Sequence, residues 1–305
     1  MTSVDLKVGM FFLFQMVIGI LGNFSLLCHY MSLYFSGCRL RPMDLILRHL
    51  TVANSLVILS RGIPATMAAI GLKHFTSSYG CKVLLYVHRV ARGVSIATTC
   101  LSSVFQVIII NPRNSRWAMI KTKATRYTGS SNILCWVFHM LVNITFPIYM
   151  TDKQTSENIT QNKYSAYCRA PLHDNVIGSV YAALTSSHDV LCLGLMTWAS
   201  GSMVFILYRH KQQVQHIHGI HFSPRSPPEA RATQSILVLV STFVLFYALS
   251  SISYVYLAVF GYSNGWLVNI AALITAGFPT ISPFVLMCRE RGSSRLCFAC
   301  CGRNM

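Results

Sequence analysis

The sequence predicts an all-α membrane protein: a seven-transmembrane helix bundle with its N-terminus outside and its C-terminus in the cytoplasm. Three observations lead there. Only 11% of the 305 residues are Asp, Glu, Lys or Arg, against about 25% in soluble globular proteins. Hydrophobic residues make up 53% and mean hydropathy is +0.50. That excludes disorder, and it is too apolar for a nucleic-acid partner despite a net charge of +17. Finally, apolar stretches long enough to cross the hydrocarbon core recur seven times along the chain.

The first span covers about residues 8–35, after a short segment 1–7. It is too long for a signal-peptide core and no small-residue cleavage site follows, so it reads as an uncleaved signal-anchor. The second span, about 43–71, contains Asp44, Arg48, Arg61 and Pro64. Asp44 and Arg48 lie one turn apart, and an i,i+4 pair at the membrane interface accounts for both. The third span, about 81–110, carries His88, Arg89 and Arg92. The fourth runs over about 128–150, and the fifth, about 176–208, holds His188 and Asp189. The sixth and seventh run over about 233–260 and 266–288, with a tail at 289–305. Spans two and three are the least clean, since each holds ionisable residues, and a six-span reading would drop one of them. The chain reads as a single seven-transmembrane receptor domain, 1–305. It has no internal repeat of the kind found in transporters built from duplicated halves.

Basic residues set the orientation. Fifteen of the 25 Lys and Arg fall in the connections after spans one, three and five or in the tail, and six fall on the opposite face. Cytoplasmic loops carry such an excess. The net charge divides into +13 on the cytoplasmic face, +2 outside and +2 within the spans. The glycosylation sequon at Asn158 then lies outside, whereas those at Asn23 and Asn143 fall within spans and are expected to stay unmodified. Cys81 begins span three and Cys168 shares the outer loop with Asn158. A disulfide between them would tie that loop to the head of span three; two free thiols are the alternative.

Ionisable groups inside a membrane are costly and point to function. Arg61, His88, Arg89 and Arg92 face one deep acid, Asp189. Arg92 lies roughly 16 Å below the head of span three, and His88 and Arg92 share a helix face. Two readings stay open. Asp189 pairs one Arg while the others snorkel or bind carbonyls. Alternatively, the five residues form a cationic ligand pocket in the outer half of the bundle, suited to an acidic or hydrogen-bond-accepting group. On that reading, Arg92→Ala abolishes responses to acidic ligands and spares surface expression. Tyr181, Tyr254 and Phe278 near the outer ends of spans five to seven are candidates for an apolar cavity, or for plain packing.

No catalytic constellation stands out. The histidines at 210, 216, 218 and 221 crowd one inner connection without a Cys or Asp partner, which reads as a polar connector and not a metal site. Span seven has no Lys for retinal attachment. The chain reads as a non-enzyme with no cofactor. Cys297, Cys300 and Cys301 lie among arginines close to the last span and are candidates for palmitoylation.

Seven spans, an outside N-terminus and the Cys81–Cys168 pair resemble a G-protein-coupled receptor. Gly22-Asn23 fits the first span of the rhodopsin class. Asn54 stands where that class has its sodium-site Asp, and Phe105-Gln106-Val107 stands in place of Asp-Arg-Tyr. Ser282-Pro283-Phe284-Val285-Leu286 replaces Asn-Pro-x-x-Tyr, and span six has no Cys-Trp-x-Pro. A narrower family fits better. His88-Arg89-Val90-Ala91-Arg92-Gly93-Val94-Ser95, and Phe105-Gln106 running into Pro112-Arg113-Asn114-Ser115-Arg116-Trp117, look like vomeronasal type-1 receptors. So do Met196-Thr197-Trp198-Ala199-Ser200-Gly201-Ser202-Met203 and Phe278-Pro279-Thr280-Ile281-Ser282-Pro283-Phe284-Val285. The most specific stretch is Ser223-Pro224-Arg225-Ser226-Pro227-Pro228-Glu229-Ala230-Arg231-Ala232-Thr233-Gln234. The resemblance spans about residues 8–300.

It implies a multi-pass chemosensory receptor of the plasma membrane that detects a small pheromone-like molecule and activates a Gi/Go-class heterotrimeric G protein. The inner ends of spans three, five and six would form the G-protein face, with Gln106, Arg113, Arg116, Arg209, Lys211 and Arg231. Part of that basic charge equally suits anionic lipid. A bitter-taste-type receptor and, from another class, a seven-span transporter or channel are the alternatives.

Overall fold

The computed structural model describes residues 3–37, 41–69, 78–111, 115–144, 147–148, 175–218, 228–260 and 265–301. Seven long helices account for nearly all of them. We number them α1 (Ser3–Phe35), α2 (Pro42–Ala69), α3 (Ser78–Ile110), α4 (Ser115–Asn143), α5 (Asn175–His218), α6 (Pro228–Phe260) and α7 (Gly265–Cys301). Among the described residues, five helical stretches are long and apolar enough to cross a membrane: Lys7–Phe35, Pro42–Met67, Tyr79–Ile110, Ala183–Arg209 and Ile270–Cys288. Ile236–Ser250 of α6 is a shorter apolar stretch. Spans two and three qualify despite their charges, and most of the apolar stretch of each is turned into the bundle.

α3 is the central helix, touching α2, α4, α5 and α6, while α1 packs on α2 and α7 and α7 on α6. The core runs through Leu26, Leu47, Leu50, Ile96, Phe105, Met196, Met203, Leu239, Phe243 and Leu286. Outside it, α1 exposes Met10, Phe14, Val17, Leu21 and Phe24 at three- and four-residue spacing. A continuous exposed apolar face of that kind belongs in lipid.

Small and polar residues let the helices approach. A Cβ at Gly22 would stand 2.9 Å from Pro283, so glycine is what admits α7 against α1. Beside it, Asn23 Nδ2 donates to the carbonyls of Gly19 (2.8 Å) and Pro279 (3.0 Å). The latter bond crosses to α7, which holds Pro279 and Pro283 within its length. One level further, Ser95 of α3 donates to Asn54 Oδ1 (2.7 Å), and Asn54 Nδ2 donates to Ser282 of α7 (2.8 Å). Asn54, Ser95 and Ser282 are all buried, and in a membrane every such group has to be satisfied internally. Asn23 and Asn143 are buried as well, Asn143 Nδ2 donating to the His139 carbonyl at 2.7 Å.

Four helices have ends that differ from the bounds of the expected spans. The fourth helix starts at Ser115 and ends at Asn143 instead of covering 128–150. Arg116, Lys121, Lys123 and Arg126, expected in a connection, form its first turns. Lys, Arg, Ala and Met are good helix formers, and Lys121 Nζ caps the end of α3 by donating to the Ile109 carbonyl at 3.1 Å. The fifth and sixth helices also extend past their expected spans, to His218 and back to Pro228, so the connection between them is confined to 219–227. The seventh continues through the expected tail to Cys301.

The expected Asp44–Arg48 pair is replaced by another. Asp44 Oδ2 accepts from both the backbone N–H and Nε of Arg41, each at 3.2 Å. Pro42 is the first helical residue, so the carboxylate of the third reaches back to the residue before the helix, as in a capping box.

Candidate ligand-binding site

Four helices bring ionisable side chains to one place. On α3, His88, Arg89 and Arg92 fall on the side turned to α2, α4 and α5. On α5, Leu184, Thr185, His188 and Asp189 follow at three- and four-residue spacing, which keeps them on one face. α2 contributes Arg61, and α4 contributes Phe138, His139 and Asn143. Together they line a cavity of about 310 Å³. All five residues singled out from sequence as a possible pocket (Arg61, His88, Arg89, Arg92 and Asp189) are in this wall.

Asp189 is the hub. Its Oδ2 accepts from Arg92 Nη1 at 3.0 Å and from the Tyr247 hydroxyl at 3.1 Å. Its Oδ1 lies 3.4 Å from Nδ1 of His188, which is placed to donate to it. One carboxylate thus joins α3, α5 and α6. The guanidinium carbon of Arg92 also sits 5.5 Å from the centre of the Tyr247 ring, within cation–π range. The two sides of the ion pair differ in access: 39% of the Arg92 side chain remains open, against 8% for Asp189. A guanidinium has five N–H donors, so Arg92 keeps capacity facing the cavity after satisfying Asp189. Elsewhere in the wall, Ser60 Oγ lies 3.4 Å from His88 Nδ1.

Three contributors escape the sequence reading. His139 is 5% exposed, and its ring meets that of His188 edge-on with centroids 4.8 Å apart. Gly93 makes room for it: a Cβ there would overlap the His139 ring. Gly93→Ala should therefore push α3 and α4 apart. We expect a loss of about 1–3 kcal/mol, typical of overpacking, measured as a lower thermal midpoint of the purified protein; an unchanged midpoint would show that the ring has room to move. Tyr247 is the third. Nothing in α6 marks it apart from Tyr254, and only the helix rotation aims it at Asp189.

Phe278, read as a possible cavity residue, is buried and meets Phe243 edge-on at 4.8 Å. It borders a separate cavity of about 50 Å³ under Tyr247, room for little more than water. The side chains of Tyr181 and Tyr254 lie outside the described residues, as do Asn158, Cys168 and Arg113 entirely. Cys81 is disulfide-bonded. On the opposite end, Arg209 is exposed, while Gln106 is 7% exposed and turned into the bundle, so it presents little surface for docking. Arg116, Lys211, Arg231, Cys297, Cys300 and Cys301 are on helices, and their side chains are not among those described. Among the described residues no group of three or more His, Cys, Asp or Glu is arranged to hold a metal ion.

The family model for the vomeronasal organ pheromone receptor family matches residues 6–299. The chain belongs to that family. Human vomeronasal type-1 receptor 2 is 68% identical to this vomeronasal receptor chain over 292 residues, covering 96% of it and 74% of the human receptor. Human vomeronasal type-1 receptor 4 is 53% identical over 299 residues, covering 98% and 99%. More distantly, the olfactory receptor class A-like protein 1 of Danio rerio is 27% identical over 284 residues, 93% of this chain and 89% of its own. The crystal structure of squid rhodopsin superposes with a TM-score of 0.69 at 16% identity, over 93% of the vomeronasal receptor chain and 76% of the rhodopsin chain. The fold is therefore that of G-protein-coupled receptors. This member of the vomeronasal family is a multi-pass plasma-membrane receptor and not an enzyme, and its family membership sets aside the bitter-taste-type and transporter alternatives.

Proposed function

We propose that this receptor binds a small pheromone-like molecule in the cavity between α2, α3, α4 and α5, in the outer half of the bundle, and activates a Gi/Go-class heterotrimeric G protein. The observation that carries the binding site is the convergence of Arg61, Arg89 and Arg92 with three histidines and one carboxylate on a single cavity. At about 310 Å³ it falls in the range of small-molecule pockets. Three guanidinium groups against one carboxylate favour a ligand with an acidic or strongly hydrogen-bond-accepting group. Binding there shifts the helix arrangement toward one whose opposite end accepts the G protein.

The orientation follows from the charge pattern, with the N-terminus outside. Cys81 then pairs with Cys168 in the outer loop, Asn158 carries glycan, and the tail cysteines Cys297, Cys300 and Cys301 are open to acylation. The ends of α3, α5 and α6, with Arg113, Arg116, Arg209, Lys211 and Arg231, make the G-protein face. The 1–305 chain acts as one receptor domain.

A ligand screen in cells expressing a promiscuous Gα subunit tests this. Arg61→Gln and Arg89→Gln leave the Asp189 bonds untouched, and each is expected to weaken acidic ligands by about tenfold, the equivalent of about 1.4 kcal/mol. Equal potency in both variants would reject the pocket. Exchanging the 209–231 segment for that of a receptor with different coupling should switch the G protein engaged.

A further inference from the structure

The bonding around Asp189 joins three helices through one residue. Arg92 of α3 and Tyr247 of α6 both donate to the same oxygen of Asp189, at 3.0 and 3.1 Å. The Tyr247 ring stacks on Phe243, which meets Phe278 of α7 edge-on. By contrast, α3 and α6 share few other contacts, as do α5 and α6. Asp189 is therefore a principal tie between α6 and the α3–α5 pair at this level. It is also nearly closed off, whereas Arg92 stays open to the cavity.

We propose that Arg92, Asp189 and Tyr247 form a clasp that holds α3, α5 and α6 in the arrangement described above, and that it opens when another anion takes Arg92. Two features support this. First, the competing anion has a route: the open part of Arg92 shares a cavity with Arg61 and Arg89, which would draw a ligand's acidic group to the same spot. Second, the consequence is directional. When Arg92 turns to a ligand, Asp189 loses its charged partner, and α3 is cut loose from the Asp189–Tyr247 bond that joins α5 to α6. A ligand shifts an equilibrium only by binding the two states unequally. Exchanging Asp189 for the ligand as the partner of Arg92 supplies that inequality. The inference rests on the ligand reading above, and Asp189 and Tyr247 act in it as positioning residues.

Two buried free thiols give a test that needs neither ligand nor G protein. Cys192 lies one turn after His188 with its sulfur 3.5 Å from Nε2 of that ring, and Cys100 faces it from α3. Both are labelled by a maleimide only when the α3–α5 contact opens. In the purified receptor, Asp189→Asn, nearly the same shape without the charge, is expected to speed labelling of Cys100 and Cys192 about tenfold. Tyr247→Phe should give a smaller rise. The charge-reversed pair Arg92→Glu with Asp189→Arg should return the rate toward that of the parent, which a merely misfolded variant would not do. Labelling of Asp189→Asn at the parental rate, or persistent fast labelling in the charge-reversed pair, overturns the clasp. Nucleotide exchange on a Gi heterotrimer, measured without ligand in the same samples, separates the two readings. Faster labelling with raised exchange supports both, and faster labelling without it upholds the clasp while counting against the G-protein assignment.

Discussion

Arg92→Ala destabilises the bundle sharply, whereas Arg92→Ala combined with Asp189→Ala costs less than the two single changes added together. The reason is the inequality between making and breaking a buried ion pair. Removing the guanidinium leaves a carboxylate that is 8% exposed with only neutral or weak donors from Tyr247 and His188. Stranding a buried charge costs about 3–5 kcal/mol; the openness of Arg92 toward the cavity places this case near the lower end. Removing both partners leaves no charge to strand. The coupling between them should be about 1–3 kcal/mol, read from thermal unfolding of the four purified proteins. Strict additivity would mean that the pair is solvated through the cavity and contributes little. The single variant is therefore expected to lose surface expression along with its response. The pairing also means that its loss of response is not by itself proof of ligand contact, which is why Arg61 and Arg89 carry the ligand test.

Cys81→Ser is expected to remove the receptor from the cell surface. Cys81 sits in the first turns of α3 and is disulfide-bonded. If its partner is Cys168, as proposed, the bridge closes a loop that takes in most of α3, all of α4 and the outer segment beyond. On the chain-entropy model such a loop is worth about 4–5 kcal/mol, less to the extent that the packed helices already hold its ends. Cys168→Ser should match Cys81→Ser in surface staining of intact cells, and the double variant should be no worse than either. A Cys168→Ser receptor that stains normally would show that Cys81 has a different partner.

The candidate site is legible in the sequence as a set, though not as an arrangement. Charge in a membrane span is so costly that Arg61, His88, Arg89, Arg92 and Asp189 stand out on composition alone, and all five line one cavity. Their pairing is less accessible. Three arginines compete for one carboxylate, and only helix rotation decides that Arg92 wins. Tyr247, His139 and Gly93 are invisible for a related reason: such residues are ordinary in a span, and what matters is the neighbour each meets. The helix count is readable from hydropathy, but the start of α4 is not. Its first turns are basic, and the charge that marks a cytoplasmic segment says nothing of whether that segment is a loop or a helix. Asp44 misleads for the opposite reason. An i,i+4 partner is present in Arg48, yet Arg41, just ahead of Pro42, offers both a guanidinium and a backbone N–H to the same carboxylate.

One hydrogen-bonded link across α2, α3 and α7 runs through Asn54, Ser95 and Ser282, an amide and two hydroxyls. None of these groups titrates in water's range, and none needs a counter-ion. Acidity and ionic strength act on charges, and here there is no charge to act on. This link between helices therefore holds unchanged across salt and pH. The ionisable groups nearby belong to the adjoining cavity, where Arg61, His88, Arg89, Arg92 and Asp189 meet.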